Sequence, residues 1–113
     1  MTYEEIKNLL SSLAGLLNCP FAYYQFEDET SPPFLVFNFP ESDDFFADNV
    51  NYQGITALDI YYCSDEKDFA AEMAIEAFLK NNEIAYTKTE SHIDTDAMWQ
   101  ILYATEVIIN EQS

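Results

Sequence analysis

Apolar residues recur at Ile6, Leu9, Leu10, Leu13, Leu16 and Leu17, the three-and-four spacing of one helix face, with polar residues between them. Thr2 followed three residues later by Glu5 is a capping-box pair, so the pattern predicts an amphipathic helix over residues 3–17. Asn18-Cys19-Pro20 ends it, because a proline ring pushes the preceding residue out of the helical region. Phe21-Ala22-Tyr23-Tyr24-Gln25-Phe26 reads as a strand. An acidic link containing Ser31-Pro32-Pro33 follows, and then Phe34 and Val36 oppose Leu35, Phe37 and Phe39 in a second strand. The prolines sit at its end, where a missing N–H does little harm.

Residues 40–53 turn acidic and polar. Glu41, Asp43, Asp44 and Asp48 surround the pair Phe45-Phe46, and a loop of this length in a small domain is often functional. Beyond Gly54, Leu58, Ile60 and Tyr62 alternate with Ala57, Asp59 and Tyr61, a period of two that predicts a third strand over residues 55–63. Asp65 is placed to cap a second helix, whose expected buried stripe is Phe69, Met73 and Ala77 with Ala70, Ala74 and Phe78. Asn81-Asn82 supplies its stop, and a fourth strand is expected to begin with Ile84-Ala85-Tyr86-Thr87-Lys88-Thr89. After the turn at Asp94-Thr95-Asp96, Trp99, Ile101, Tyr103, Thr105 and Val107 alternate against their neighbours in a fifth strand over residues 98–109. The order α-β-β-β-α-β-β, with three strands in hairpin sequence and a closing hairpin, implies one α+β domain over residues 1–113. Its sheet is expected to be largely antiparallel, with both helices packed on one face.

Charge changes this picture. Twenty-one acidic residues stand against 4 lysines, for a net charge of −17, yet 49% of the chain is apolar. A folded domain, not a disordered acidic tail, therefore carries the charge. Direct nucleic-acid binding is excluded as a main function, since affinity for phosphate backbones comes from Lys and Arg releasing counterions. Two isolated cysteines, Cys19 and Cys63, read as reduced thiols that behave as small hydrophobes, and the acidic neighbours of Cys63 are expected to raise its pKa. No apolar run approaches the ~20 residues that span a bilayer, and Met1-Thr2-Tyr3-Glu4-Glu5 is the opposite of a basic secretory leader. The expectation is a soluble protein made in a cytoplasm.

Candidate chemistry is sparse. His92 is the one histidine; it falls beside a turn between Glu90 and Asp94, where a solvated histidine is commonplace. Carboxylates cluster at Asp43, Asp44 and Asp48, at Asp65, Glu66 and Asp68, and at Asp94 and Asp96. None has the ligand spacing, central glycine and terminal Glu of a calcium loop, so weak divalent-cation binding is the most they imply, and no cofactor is expected. Gly15 and Gly54 stand too far apart for a phosphate-cradling loop. The reading is no enzyme. The loop aromatics Phe45 and Phe46, rimmed by Asp43, Asp44 and Asp48, read as an interface or docking arm, and Asp59 and Tyr61 as a row facing a neighbouring subunit.

Three stretches carry a family likeness: Pro33-Phe34-Leu35-Val36-Phe37-Asn38 before the long loop; Ala57-Leu58-Asp59-Ile60-Tyr61-Tyr62-Cys63-Ser64 running into the helix with Phe69, Ala70 and Ala74; and the closing Trp99-Gln100-Ile101-Leu102-Tyr103-Ala104-Thr105-Glu106-Val107. The arrangement resembles the tail-terminator and head–tail joining (tail completion) proteins of long-tailed bacteriophages. That resemblance implies a virion structural protein assembled in the bacterial host cytoplasm as a homo-oligomeric, hexameric ring. The ring caps the tail tube and meets the head connector, and DNA passes through its lumen without being bound. A carboxylate-lined wall suits such passage, because it repels phosphate. The charge fits a second class equally well: an acidic DNA-mimic inhibitor that occupies the basic groove of a host nuclease or other DNA-binding protein. A mimic needs its acids in spaced rows across one face, whereas a ring subunit needs an apolar or aromatic contact surface.

Overall fold

The computed structural model describes residues 1–40 and 54–109. Helix α1 spans Tyr3–Leu17 and starts as its sequence dictates. Glu5 N–H donates to Thr2 Oγ1 at 3.1 Å, and Thr2 N–H donates to Glu5 Oε1 at 2.8 Å. The Thr2 backbone N–H holds the Glu5 carboxyl below its usual range. Thr2→Ala removes one half of this reciprocal cap and should lower stability by about 1 kcal/mol, read from the midpoint of urea unfolding. The helix stops at Asn18, which takes the left-handed conformation (φ 55°). Ile6, Leu10, Leu13 and Ala14 form its buried face. The amino terminus donates to the Ile108 carbonyl at 2.8 Å and ties the start of the chain to its last strand.

Strands β1 (Phe21–Tyr23), β2 (Phe34–Asn38), β3 (Gly54–Ser64), β4 (Tyr86–Ile93) and β5 (Met98–Ile109) make one sheet in the order β1-β2-β3-β5-β4. The α+β class, the element order and the mostly antiparallel sheet agree with the sequence. The first pairing does not. β1 and β2 run parallel, Phe21 against Leu35 and Tyr23 against Phe37, instead of forming a hairpin. β1 also ends three residues short of its expected limit. Tyr24 takes φ 69° and turns the chain away while its N–H donates to the Phe37 carbonyl at 2.8 Å. Residues 24–33 then carry the chain back to the start of β2, the long connection that parallel strands require.

The expected closing hairpin is present: β4 and β5 pair antiparallel across the turn at Asp94–Asp96. β5 lies between β3 and β4 and pairs antiparallel with both, so β4 is the sheet edge. β4 begins at Tyr86 and not at Ile84, because the N–H of Ile84 is already donated to the Leu79 carbonyl at 2.9 Å, closing the end of the second helix.

Helix α2 spans Phe69–Asn81. Asp68, not Asp65, caps it: its Oδ1 accepts from Ala71 N–H at 3.0 Å. The expected stripe is corrected as well. The buried side is Ala71, Glu72, Ile75 and Leu79, whereas Phe69 and Met73 are 68% and 70% exposed. Ala70 and Ala77 are exposed too, and Ala74 and Phe78 are half-buried. The helix is apolar around most of its circumference, so periodicity could not choose a side. Tertiary contacts choose it.

Strand alternation sorts the sheet into two faces. On one, Leu35, Tyr62 and Ile101 lie abreast, as do Phe37, Ile60 and Tyr103, and Leu58 lies against Thr105. This face forms a single core with Ile6, Leu10 and Leu13 of α1 and Ile75 and Leu79 of α2, so both helices cover the same side. Thr105 satisfies its buried hydroxyl by donating to the Leu58 carbonyl at 2.8 Å. Among the described residues, no helix is long and apolar enough to cross a membrane.

Candidate interaction surfaces

The sheet face turned away from the helices presents Phe34, Val36, Ala57, Tyr61, Leu102 and Ala104, all half-buried. Asp59 and Tyr61 lie on this face two residues apart, as the alternation of β3 requires, and both are half-buried. Burial, then the Asp59 charge and a hydrogen bond to it, push the Tyr61 phenol above its ordinary value. The strand acids of this face among the described residues are Asp59 and Glu106; Asp59 lies mid-sheet between Asn38 and Ala104, with apolar and aromatic residues around it, and Thr87, Thr89 and Ser91 of β4 form a polar edge. Asp43, Asp44, Phe45, Phe46 and Asp48 lie outside the described residues.

A second feature occupies the other side, between α2, β4 and β5. Glu72 has only 3% of its side chain exposed and meets two cations. Lys67 bridges Glu72 and Glu90, while Lys88 Nζ lies 2.8 Å from Glu72 Oε1 and 2.8 Å from Glu76 Oε2. Tyr103, fully buried, donates to Glu76 Oε2 at 2.9 Å. Burial raises the Glu72 pKa, but the hydrogen bonds from Lys67 and Lys88 outweigh it and hold the carboxyl below its usual range. The hydrogen bonds that Lys88 donates to Glu72 and Glu76 push it well up, and burial followed by the bond to Glu76 pushes Tyr103 up. Two of the chain's 4 lysines are thus consumed internally. Each of these charges faces an opposite one, which makes the cluster a clamp between helix and sheet and not a poised acid or base.

The remaining candidates resolve simply. His92 Nδ1 lies 2.7 Å from Asp94 Oδ1, and its ring rests edge-on against Trp99 with centroids 4.8 Å apart. Cys19 and Cys63 are free thiols. The Cys63 pKa is pushed up to about 11 by burial, which corrects the cause expected from its acidic neighbours. Asp68 is engaged as a helix cap and Asp94 with the histidine. Among the described residues, no group of three or more His, Cys, Asp or Glu is gathered so as to hold a metal ion.

No protein-family model and no curated protein matches this chain. The surfaces therefore have to speak through their chemistry. The register places Asp65 and Glu66, which follow β3, at the same end of the sheet as Asp94 and Asp96, because Ser64 pairs with Trp99 and Ile93 with Met98. That end is acidic, while the open face beside it is apolar.

Sequence reasoning missed the Lys67–Glu72–Lys88 clamp. Its trace was present: Glu72 and Glu76 stand one turn apart on a largely apolar helix, and Lys88 and Glu90 share one face of β4. Linking them required knowing that α2 lies over β5 and the edge strand.

Proposed function

We propose that this chain is a bacteriophage virion structural protein, a tail-terminator or head–tail joining subunit. It assembles with copies of itself into a ring that caps the tail tube, meets the head connector and lets DNA pass through its lumen; no catalytic role is assigned. The observation that carries the reading is the separation of an apolar, helix-free sheet face from an acidic sheet end. A ring subunit needs both: a surface that excludes water against its neighbour, and a wall that repels phosphate. A DNA mimic would instead place spaced acids across a continuous face, and the strands of the open face carry two acids, Asp59 and Glu106, among mostly apolar residues.

With a net charge of −17, subunits repel one another until salt or divalent cations screen them. Oligomer size measured by light scattering should therefore rise with magnesium or ionic strength. Negative-stain images should show rings whose hole admits duplex DNA, ~20 Å or more across given that helix's groove dimensions. Tyr61→Ser should shift the population toward monomer with an unchanged circular-dichroism spectrum. A monomer under every condition, including with tail tubes present, argues against the ring. Small particles that bind a host nuclease tightly would replace it with the DNA mimic.

A further inference from the structure

The outer side of α2 is an apolar strip on the surface of a highly charged protein. Phe69 and Met73, 68% and 70% exposed, stand one turn apart, and Ala77 continues the line a turn later with Ala70 beside it. Past Ala77 the strip opens into a groove of about 570 Å³ floored by Ile84, Ala85 and Tyr86 and bordered by Glu76, Lys80 and Glu83. Asp65 and Glu66, both exposed, stand at the other end. Lys67 adds no free positive charge there: its ammonium is held by Glu72 and Glu90 and lies 4.8 Å from the Phe69 ring centroid.

We infer that this strip docks a cationic amphipathic helix of a different protein. Residues spaced by four along α2 form a ridge against which a second helix can lay its own apolar side. Asp65 and Glu66 at one end and Glu83 at the other would pair with basic residues flanking that side, whereas Glu76 is already held by Lys88. A second copy of this chain is the wrong occupant, since its own strip would set Asp65, Glu66 and Glu83 against acids and, among the described residues there, supply no free cation to meet them beyond Lys80. The strip lies on the helix-covered side of the sheet, opposite Tyr61 and Leu102, so the inference stands apart from ring assembly.

The probe is a labelled leucine–lysine peptide of roughly 18 residues, about five helical turns with one apolar side. Its binding to the full chain is read by fluorescence anisotropy at physiological salt. The comparison is a peptide of identical composition scrambled to destroy the apolar side. The amphipathic probe should bind about tenfold more tightly than the scrambled one, equivalent to about 1.4 kcal/mol. Met73→Glu should cost about tenfold in probe affinity, and Phe69→Ser, which leaves the net charge unchanged, should weaken binding in the same direction. Tyr61→Ser should leave probe binding unchanged, which separates this surface from the ring contact. Charge attraction alone predicts the opposite sign for Met73→Glu, because the variant is more acidic than its parent. Equal affinity for the two peptides, or a Met73→Glu chain that binds as tightly as its parent, would overturn the proposal. So would sedimentation showing that Met73→Glu disperses a self-associated parent chain, since a second copy would then be the occupant.

Discussion

Ile75→Ala is expected to cost the fold about 3–4 kcal/mol, while Met73→Ala, two residues earlier on the same helix, should change stability by less than about 0.5 kcal/mol. Ile75 is fully buried in the core that α2 shares with Ile60, Tyr103 and Leu79, so its truncation removes buried methyl groups and leaves a cavity between helix and sheet. Met73 is 70% exposed and gives up little. Urea unfolding with an unchanged slope decides the matter. If the stripe read from periodicity were the buried one, the order of the two effects would reverse. A large loss from Met73→Ala in the monomeric chain would therefore refute the orientation of α2.

Glu72→Gln should lower stability by about 3 kcal/mol, at the low end for breaking a buried ion pair, because Lys67 keeps Glu90 and Lys88 keeps Glu76. The amide preserves shape but leaves two lysines facing a neutral group at a site where the carboxylate is 3% exposed. The pH dependence has a definite sign. The folded-state pKa of Glu72 lies below the ordinary 4.5, so its contribution is complete above that value and is lost as pH falls through the folded pKa. Lys88 is raised above its ordinary 10.5, so its contribution is complete below that value and is lost as pH rises through the folded pKa. The stability difference between the parent chain and Glu72→Gln should accordingly form a plateau from about pH 5 to about pH 10 and shrink on both sides. A difference under about 1 kcal/mol at neutral pH would mean that the lysines reach water and that the clamp contributes little.

How far the sequence reached differs from element to element. α1 was readable to the residue because two local signals agree: the Thr2–Glu5 cap fixes its start, and Asn18 before Cys19-Pro20 fixes its end. β5 was readable because Trp99, Ile101, Tyr103, Thr105 and Val107 recur at every second position of a twelve-residue strand. β1 was not, since Phe21-Ala22-Tyr23-Tyr24-Gln25-Phe26 favours an extended chain throughout. What ends the strand is a contact thirteen positions away in the chain, Tyr24 N–H on the Phe37 carbonyl. The capping carboxylate of α2 was misplaced by three residues because Asp65 and Asp68 both suit the role locally, and only Asp68 reaches Ala71. Of the interface residues read from the sequence, Asp59 and Tyr61 lie on the helix-free sheet face, an outcome that alternation along β3 was able to foresee.

The sequence by itself determined the elements, their order, the α+β class and the alternation of the long strands, because capping, period and turn chemistry act over a few residues. It also determined the net charge of −17. Only the tertiary structure decided that β1 runs parallel to β2, that β5 enters between β3 and β4, and which side of α2 faces inward. A helix apolar around most of its circumference can turn either side to a sheet. The choice falls to the buried Glu72, which two lysines from elsewhere in the chain neutralise, and the price of that choice is an apolar strip left facing water.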